Sequence, residues 1–424
     1  MSLLLHLLAD IVILAVFGIA LHVMEVSDWD HGITRNAALA GTMLAVAILW
    51  LWRSRRAPSA PPRRYVLALC VVAGLLLGWR SVQSWDKLGA VPLDIAFSTL
   101  DSIKAVVREH KDPYAKPIDS RKEAPADAKG FRYYHGYKYL PGMMLVYAPL
   151  AVPFEFPGIL FTNYLIFLAT GLLIYLLAKE AGGRWAVGGG AAEGDARHEA
   201  RGVSLTSDLR PPTSGLSAAG LRGVILFLSL GIVPLEMFEK GVNDLAPMVP
   251  LLFAIFALSR GWMLAAGVAV GFSVGTKLLP GALIALMFLP LARSRWFVLA
   301  AGLTIGAVCI PFVTWHPREF VANVLLFNLD RPPDTTSIAY YLPLKWQKPW
   351  LYAGGIVILG SLAAWFAKKN KDWRTLAFVG ALVVTALLVF GTMVHRNYLL
   401  WVIPLWCVLL PWTAYPTRRT ADGG

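Results

Sequence analysis

Long apolar tracts recur along the whole chain and decide what it can fold into. A membrane-spanning helix needs about 20 mostly apolar residues, and many of the tracts approach that length. Several are shorter, and residues 262–292 fit either one tilted helix or two half-length helices. The tracts therefore predict about 11–13 membrane spans. They fall near residues 3–24, 37–52, 65–83, 139–155, 158–178, 222–238, 245–259, 262–276, 279–292, 296–315, 349–367, 375–394 and 398–414.

The composition favours an all-α polytopic membrane protein. Of 424 residues, 57% are hydrophobic and 15% are charged, whereas soluble domains carry about 25% charged residues. The net charge of +13 does not indicate a nucleic-acid-binding protein, because the basic residues cluster in short loops between apolar tracts. The three cysteines lie within apolar tracts and have neither metal-ligand spacing nor the pattern of a disulfide framework.

The basic clusters also predict the orientation, since short cytoplasmic loops are enriched in Lys and Arg. On that rule the amino terminus is cytoplasmic, and the chain is a multi-pass protein of the cell's inner (plasma) membrane. The loop holding Asp94 then faces outward, as do the 316–347 loop and the turn at 395–397. The clusters predicted to be cytoplasmic are Arg53 to Arg64, Arg293 with Arg295, Lys368 to Arg374, and Arg418 with Arg419.

The apolar and polar stretches divide the chain into six segments. The linker among them is rich in Gly, Ala, Ser and Pro, which predicts a mobile segment. Its side depends on whether 139–155 crosses the membrane or returns, and a cytoplasmic position is favoured. The segments are amino-terminal membrane helices (1–83), an outer catalytic loop (84–138), membrane helices (139–178), the flexible linker (179–221), carboxy-terminal membrane helices with the outer loop 316–347 (222–414), and a cytoplasmic tail (415–424).

The polar loop 84–138 carries several carboxylates beside the predicted bilayer surface, among them Asp94 and Asp101. Carboxylates near a low-dielectric boundary are costly unless they are solvated or paired. Such a loop indicates a catalytic role at the membrane face and not a merely space-filling one. The sequence has no P-loop, no GxSxG and no DxD-like pair for a metal-bound nucleotide sugar. We therefore expect no metal and no cofactor, and a donor other than a cytosolic nucleotide sugar.

Six motifs, taken in chain order, resemble glycosyltransferase family 87 of the GT-C superfamily over roughly residues 75–410. The resemblance implies a GT-C-like helical bundle with a large outer loop. It also implies the activity of the family's characterised members, which are polyprenol-phosphate-mannose-dependent mannosyltransferases of the bacterial envelope. The motifs are Leu93-Asp94-Ile95-Ala96-Phe97, Asp112-Pro113-Tyr114, Tyr139-Leu140-Pro141-Gly142, Lys240-Gly241-Val242-Asn243-Asp244, the stretch from Gly267 to Pro280, and His395-Arg396-Asn397-Tyr398-Leu399-Leu400-Trp401.

The resemblance also implies roles for individual residues. The family's catalytic aspartate opens its first large outer loop, and Asp94 holds the matching position. Tyr139-Leu140-Pro141 is similar to the family's YPP element, with leucine in place of one proline. Lys277 is similar to its basic residue before a proline, and Gly241-Val242-Asn243 to its GQxN element. The chain departs from the family at Asn397, where a histidine is frequent, and His395 lies two residues earlier.

Sugar transfer from a lipid phosphate needs a base for the acceptor hydroxyl and a cation for the departing phosphate. Asp94 is the candidate base, although an aspartate there could equally cap a helix. Asp101, seven residues on, could assist it or be an exposed charge. Lys277 is the candidate cation, with snorkelling to an interface as the alternative. As a snorkelling lysine it could be replaced by Met without loss of folding.

Other polar residues complete the predicted substrate site. Asn243 and Asp244 could bind sugar or acceptor hydroxyls, or cap the next helix. His395 and Arg396 could contact phosphate or acceptor, or be ordinary loop residues, and Arg331 could close over the site or lie in a surface turn. Tyr139 joins the site through the YPP-like element. His316 is interpreted as an interfacial residue.

The predicted function is transfer of a hexose, with mannose implied by the resemblance, from a polyprenyl-phosphate donor to a lipid or glycan acceptor. Direct displacement by the acceptor would invert the anomeric carbon. The expected partners are that donor, the acceptor and membrane lipids, with no nucleic acid. The alternatives are a transporter or flippase of lipid-linked saccharides and a structural membrane subunit. The absence of an inverted repeat and the concentration of acids in one loop favour the enzyme.

Overall fold

All regular structure in the described part of the chain is helical, which confirms the predicted all-α class. The predicted spans at 3–24 and 37–52 and the tail at 415–424 lie outside the described residues. The computed structural model describes residues 70–75, 78, 94–115, 136–183, 217–230, 233, 235–291, 294–327, 333, 337–369, 371–392 and 395–409.

Twelve α-helices are bounded by residues of the described ranges, together with short π and 3-10 turns. The turns are Leu235–Glu239 and Ala322–Leu326 (π) and Arg396–Tyr398 (3-10). The helices are α1 (Asp94–Val107), α2 (Pro141–Gly183), α3 (Ala218–Ser229), α4 (Met248–Ser259), α5 (Met263–Thr276), α6 (Leu278–Phe288), α7 (Arg295–Trp315), α8 (Pro317–Val321), α9 (Ile338–Tyr341), α10 (Leu344–Ala367), α11 (Trp373–Phe390) and α12 (Leu399–Leu409).

Four helices of the described part are long and apolar enough to cross a membrane: α2 over Pro141–Glu180, α7, α10 and α11. The protein is thus a multi-pass membrane protein. Helices α4, α5 and α12 are apolar but have only 12, 14 and 11 residues. At about 1.5 Å per residue, none of these three alone crosses a hydrocarbon layer about 30 Å thick. The total of 11–13 spans stays a prediction.

Helix α2 breaks where the sequence separates two apolar tracts. Glu155 has φ 54° and ψ −130°, and prolines stand at positions 149, 153 and 157. Lys104 of α1 and Arg108, the residue that follows α1, contact Glu155, with Lys104 Nζ at 3.3 Å and Arg108 at 3.0 Å from its carboxylate oxygens. Arg108 also donates to the carbonyl of Val152, at 3.2 Å. The break is therefore the place where α1 is held against α2.

Helices α5 and α7 approach each other closely along a row of glycines. Gly267, Gly271 and Gly275 are spaced by four residues and therefore lie on one face of α5. A Cβ at Gly271 would lie 2.5 Å from the carbonyl oxygen of Ala301, and one at Gly267 would lie 2.4 Å from that of Phe297. Small residues at this spacing let helix backbones touch in membranes. This contact fixes the carboxyl end of α5, which leads into Lys277.

The described core surrounds α12, all of whose residues are buried. Helix α12 packs against α2, α3 and α11, while α5 packs between α4 and α7. Helices α7 and α10 instead expose apolar side chains, such as Leu303 (64% exposed) and Ile356 (70%). Exposed leucine and isoleucine on span-length helices fit a surface covered by lipid. The polar groups described below lie inside this bundle.

Candidate active site at the α5–α6 break

Lys277 occupies the break between two short helices. Its backbone is extended, with φ −150° and ψ 125°, and it separates α5 from α6. Met263–Thr276 and Leu278–Phe288 are thus two half-length helices, one of the two forms that the sequence allowed for 262–292. The hydroxyl of Ser273 donates to the carbonyl of Pro247 at 2.8 Å, which joins the end of α5 to the start of α4. A Cβ at Gly142 would lie 2.6 Å from the carbonyl oxygen of Gly275, so the start of α2 also meets this break.

Asp244 and Lys277 form a buried ion pair. The ammonium of Lys277 donates to Asp244 Oδ1, and Asp244 is fully buried. The amide of Asn397 donates to the other carboxylate oxygen, and the indole N–H of Trp401 donates to Oδ1 at 2.9 Å. A buried charge is tolerated when it is paired and hydrogen-bonded. Three donors on one carboxylate meet that condition.

Three aromatic rings lie around the ammonium of Lys277. Its Nζ is 4.9 Å from the ring centroid of Tyr139, 5.4 Å from that of Tyr398 and 4.8 Å from that of Trp401. The rings of Tyr398 and Trp401 stack with centroids 4.4 Å apart. Ring faces within about 6 Å attract a cation. We call Asp244, Lys277, Asn397 and these three rings the Lys277 site.

A hydrogen-bonded chain joins α1 to the residue beside Asp244. Thr99 donates to the carbonyl of Ile95 at 2.9 Å, so its oxygen accepts from the amide of Asn243 at 3.2 Å. The hydroxyl of Tyr137 lies 3.4 Å from the same oxygen. Gly241 has φ +69°, and a Cβ there would lie 2.9 Å from Cβ of Ala96. The first turns of α1 therefore lie directly against residues 241–243.

One polar atom of this hydrogen-bonded chain has no partner among the described residues. Asn243 Oδ1 is buried and has no hydrogen-bond partner among the described residues. A buried acceptor without a donor costs about 1–3 kcal/mol. The amide of Asn243 is thus a group that an entering hydroxyl could satisfy.

The structure brings some of the predicted site residues together. Tyr139, Asn243, Asp244 and Lys277 meet at the break. Asp94 is the first residue of α1, whose Ala96 and Thr99 lie against Gly241 and Asn243, and the description does not extend to the Asp94 side chain. Asp101 is exposed two turns further along α1.

Of the remaining predicted site residues, His395 lies near the Lys277 site, and the side chains of Arg396 and Arg331 lie outside the described part of the chain. The ring of His395 is partly exposed and lies 5.5 Å from that of Tyr398. Arg396 belongs to the 3-10 turn, but its side chain is outside the described part, as is the whole of Arg331. The turn thus reaches the Lys277 site through Asn397 and Tyr398.

Sequence reasoning missed Asn397, Trp401 and Thr99. Asn397 departs from the family pattern, and the sequence indicates no role for it. A signal was available, because Asn397 and Trp401 are four residues apart and such residues share a face across a helical start. Both donate to the same carboxylate. Thr99 had no such signal, since its partner Asn243 is 144 residues away.

A second polar cluster surrounds the Asp112-Pro113-Tyr114 motif. Asp112 is buried; its Oδ1 accepts from the backbone N–H of Tyr114 at 2.8 Å, and its Oδ2 lies 2.7 Å from His316 Nδ1. The amide of Asn323 donates to the carbonyl of Tyr114 at 3.0 Å and accepts from the N–H of Gly136 at 3.0 Å. His316, interpreted from sequence as interfacial, is half-exposed and also pairs with a buried acid.

Tyr114 connects this cluster to the Lys277 site. It is buried, and its hydroxyl donates to the carbonyl of Tyr139 at 2.8 Å. Burial raises the pKa of the Tyr114 hydroxyl well above its ordinary value, and neighbouring Tyr137, Cys309 and Asp112 raise it further. Burial likewise raises the pKa of Tyr137. Both phenols therefore remain hydrogen-bond donors at any physiological pH.

Within the described ranges, no group of three or more His, Cys, Asp or Glu side chains could hold a metal ion. The sequence-based expectation of a metal-free site stays a prediction.

The family model for glycosyltransferase family 87 matches residues 137–416, which is more than half of the chain. The chain belongs to glycosyltransferase family 87. The family predicted from the motifs is thereby confirmed. The matched segment contains every residue of the Lys277 site and begins after Asp94, Asp101 and Asp112.

Among solved structures, the chain is similar to ArnT from Cupriavidus metallidurans. With ArnT bound to undecaprenyl phosphate, the TM-score is 0.45 and the identity 16%, over 83% of this chain and 60% of ArnT. With ArnT in the apo state, the TM-score is 0.45 and the identity 16%, over 82% and 59%. The chain thus spans about three-fifths of the length of ArnT. No curated protein matches the chain.

Proposed function

We propose that this family 87 glycosyltransferase moves mannose from a polyprenyl-phosphate donor to a lipid or glycan acceptor at the outer face of the plasma membrane. The observation that carries the proposal is the buried Lys277–Asp244 pair, which lies at a helix break beside the first turns of α1. Characterised members of the family use polyprenol-phosphate-mannose, which supports this choice of donor.

Lys277 is proposed to bind the donor phosphate. An ammonium has three N–H donors, and one of them is directed at Asp244. The others can serve a phosphate oxygen as charge develops on the leaving group. Broken helices at membrane depth commonly form binding sites for charged groups. Asp244, held by Asn397 and Trp401, then acts as the counter-ion that orients Lys277 and not as a ligand for hydroxyls.

Asp94 is proposed to act as the general base for the acceptor hydroxyl. It begins α1, and Ala96 lies against Gly241 two residues later, so the start of the helix is close to the Asn243–Asp244 segment. Asn243, whose Oδ1 is unsatisfied, would accept a bond from a sugar or acceptor hydroxyl. A phosphate leaving group needs no strong acid, so one carboxylate suffices and direct displacement inverts the anomeric carbon.

The course of α7 supports an outward-facing site. The helix begins at Arg295, in a basic cluster expected in the cytoplasm, and its 21 residues correspond to about 31 Å, enough to cross the hydrocarbon layer. The Asp112 cluster contacts the opposite end, where Tyr114 lies 6.1 Å from Phe312 and His316 follows the helix. Tyr114 in turn bonds to Tyr139 of the Lys277 site.

The test is a donor panel. Purified protein in lipid nanodiscs is incubated with polyprenyl phosphates carrying different sugars and with membrane lipid extract as acceptor, and release of free polyprenyl phosphate is measured. We expect release from the mannose donor by the wild type and by Asp101→Asn, and a large loss with Asp94→Asn. Transport of an intact lipid-linked saccharide across vesicles, without cleavage of any donor, would instead support the transporter.

A further inference from the structure

A continuous chain of contacts runs from a half-exposed histidine to the buried ammonium of Lys277. His316 Nδ1 lies 2.7 Å from Asp112, and Asp112 accepts from the N–H of Tyr114. The Tyr114 hydroxyl donates to the carbonyl of Tyr139. The ring of Tyr139 lies 4.9 Å from Lys277 Nζ. The motif Asp112-Pro113-Tyr114 thus reaches Lys277 through Tyr139.

The middle of this chain is rigidly held. The Tyr114 ring has neighbours in Phe320 at 4.8 Å and Tyr137 at 5.9 Å. The carbonyl of Tyr114 accepts from Asn323. A Cβ at Gly136 would lie 2.2 Å from the same oxygen, so only glycine fits at position 136. Both carboxylate oxygens of Asp112 are engaged. Tyr114 is therefore a fixed support from which its hydroxyl can hold another residue.

Tyr139 needs such a support. It lies two residues before α2, which begins at Pro141, so the helix itself does not determine where its ring points. Tyr139 is partly exposed, whereas Lys277, close to its ring, and Asp244 are buried. Any loosening of Tyr139 would change both the surroundings of the ammonium and the access to it.

We propose that Asp112, Tyr114 and His316 are positioning residues that hold Tyr139 over Lys277 and thereby set the affinity for the phosphate of the lipid donor. The inference rests on the proposed role of Lys277 in phosphate binding. None of the three residues is placed in contact with the phosphate, and each acts through Tyr139. The polyprenyl phosphate released on transfer carries the same phosphate and serves as the probe.

The experiment is a double-mutant cycle on the dissociation constant for undecaprenyl phosphate, measured with the full chain in nanodiscs. Tyr114→Phe removes only the hydroxyl and should weaken binding about 3–10-fold, the range for one hydrogen bond. In a Tyr139→Leu background, which already lacks the ring, Tyr114→Phe should change binding less than about 2-fold. Tyr139→Phe keeps the ring and should retain both wild-type affinity and sensitivity to Tyr114→Phe.

Substitutions of His316 provide a second test, in which a conservative replacement should restore the affinity. His316→Leu removes the donor to Asp112 and, like Tyr114→Phe, should weaken binding of undecaprenyl phosphate. His316→Asn places an amide N–H close to the position of Nδ1 and should restore most of the affinity. Equal losses in the Leu and Asn variants would contradict the role given to the Asp112–His316 contact.

Trp365→Phe controls for general loss of stability. Trp365 is a buried aromatic residue whose N–H donates to the carbonyl of Met287 at 2.9 Å, a bond of the same kind as that of Tyr114 but away from the Lys277 site. It should lower the melting temperature and leave the dissociation constant unchanged.

Two outcomes of the cycle would overturn the inference. One is an equal effect of Tyr114→Phe in both backgrounds, and the other is wild-type affinity in Tyr139→Leu. If Lys277→Met kept wild-type affinity for undecaprenyl phosphate, the proposed role of Lys277 in phosphate binding would be wrong instead.

Discussion

The ammonium of Lys277 and the carboxylate of Asp244 form a buried ion pair between residues 33 positions apart in the chain. This relationship changes the expectation drawn from sequence. A lysine that snorkels to an interface could be replaced by Met without harm to folding. Lys277 is instead 9% exposed and paired, so its removal would leave Asp244 buried without a cation.

Lys277→Met should therefore destabilise the protein. Breaking one side of a buried ion pair typically costs about 3–5 kcal/mol, because the remaining charge is uncompensated. We expect a clearly lowered melting temperature in detergent, and a partial recovery in Lys277→Met combined with Asp244→Leu, which removes both charges. Both variants should lose binding of undecaprenyl phosphate. A single variant as stable as the wild type would show that the pair is not needed for folding.

Asn397→Asp should make stability depend on pH. The substitution keeps the shape of the side chain but directs a second carboxylate at Asp244, and two carboxylates sharing a site raise the pKa of one of them. We expect the melting temperature of this variant to be lower at about pH 8 than at about pH 5.5, where a shared proton relieves the repulsion. Asn397→Ala loses one donor without adding charge and should not show this rise on acidification. The same response in both variants would contradict the contact between Asn397 and Asp244.

Much of the fold followed from the sequence because lipid-spanning helices need long apolar tracts. The all-α class and the break in α2 near residue 155 were both accessible in this way. Periodicity could not decide whether 262–292 is one helix or two. The outcome depends on tertiary contacts, namely the glycine face of α5 against α7 and the bond from Ser273 to Pro247.

The partners within the site were harder to predict. The sequence leaves Asp244 either to bind hydroxyls or to cap the next helix, because its charge is visible in the sequence and its partners are not. Those partners come from three separate places, a helix break, a 3-10 turn and the first turn of α12. Contacts over such separations leave no local pattern. The family resemblance brought these segments together only as motifs, without saying which side chains touch.

Asp94→Asn should reduce the rate of transfer by about 10²–10⁴-fold, the usual contribution of general-base catalysis. The amide keeps the size of the carboxylate but cannot accept the proton of the acceptor hydroxyl. Affinity for undecaprenyl phosphate should change little, because the base acts on the acceptor. Asp101→Asn, on the exposed face of α1, is the matched control and should cost far less. If Asp101 proved the more sensitive position, the wrong aspartate of this helix would have been chosen.

Tyr114 should make the protein sensitive to alkali. Its pKa in the folded protein is raised above the ordinary value of 10.0, so folding favours the protonated form. The stabilisation is complete below pH 10.0 and is lost as the pH rises towards the folded-state pKa, at a limiting slope of about 1.4 kcal/mol per pH unit. Above pH 10, the melting temperature should therefore fall more steeply with pH for the wild type than for Tyr114→Phe. Parallel curves would show that Tyr114 is not buried as described.

Gly271→Ala should damage the protein although alanine is the better helix former. A Cβ at this position would lie 2.5 Å from the carbonyl oxygen of Ala301 and 2.9 Å from Cβ of Thr304, so α5 must move away from α7. Lys277 follows the same helix six residues later, and we expect both a lower melting temperature and weaker binding of undecaprenyl phosphate. Gly302→Ala is the matched control, because nothing lies within 4 Å of its added methyl group. Intrinsic propensity alone would make that variant more stable, by up to about 1 kcal/mol. If the two substitutions had the same effect, the close approach of α5 and α7 would not be what holds Lys277 at the break.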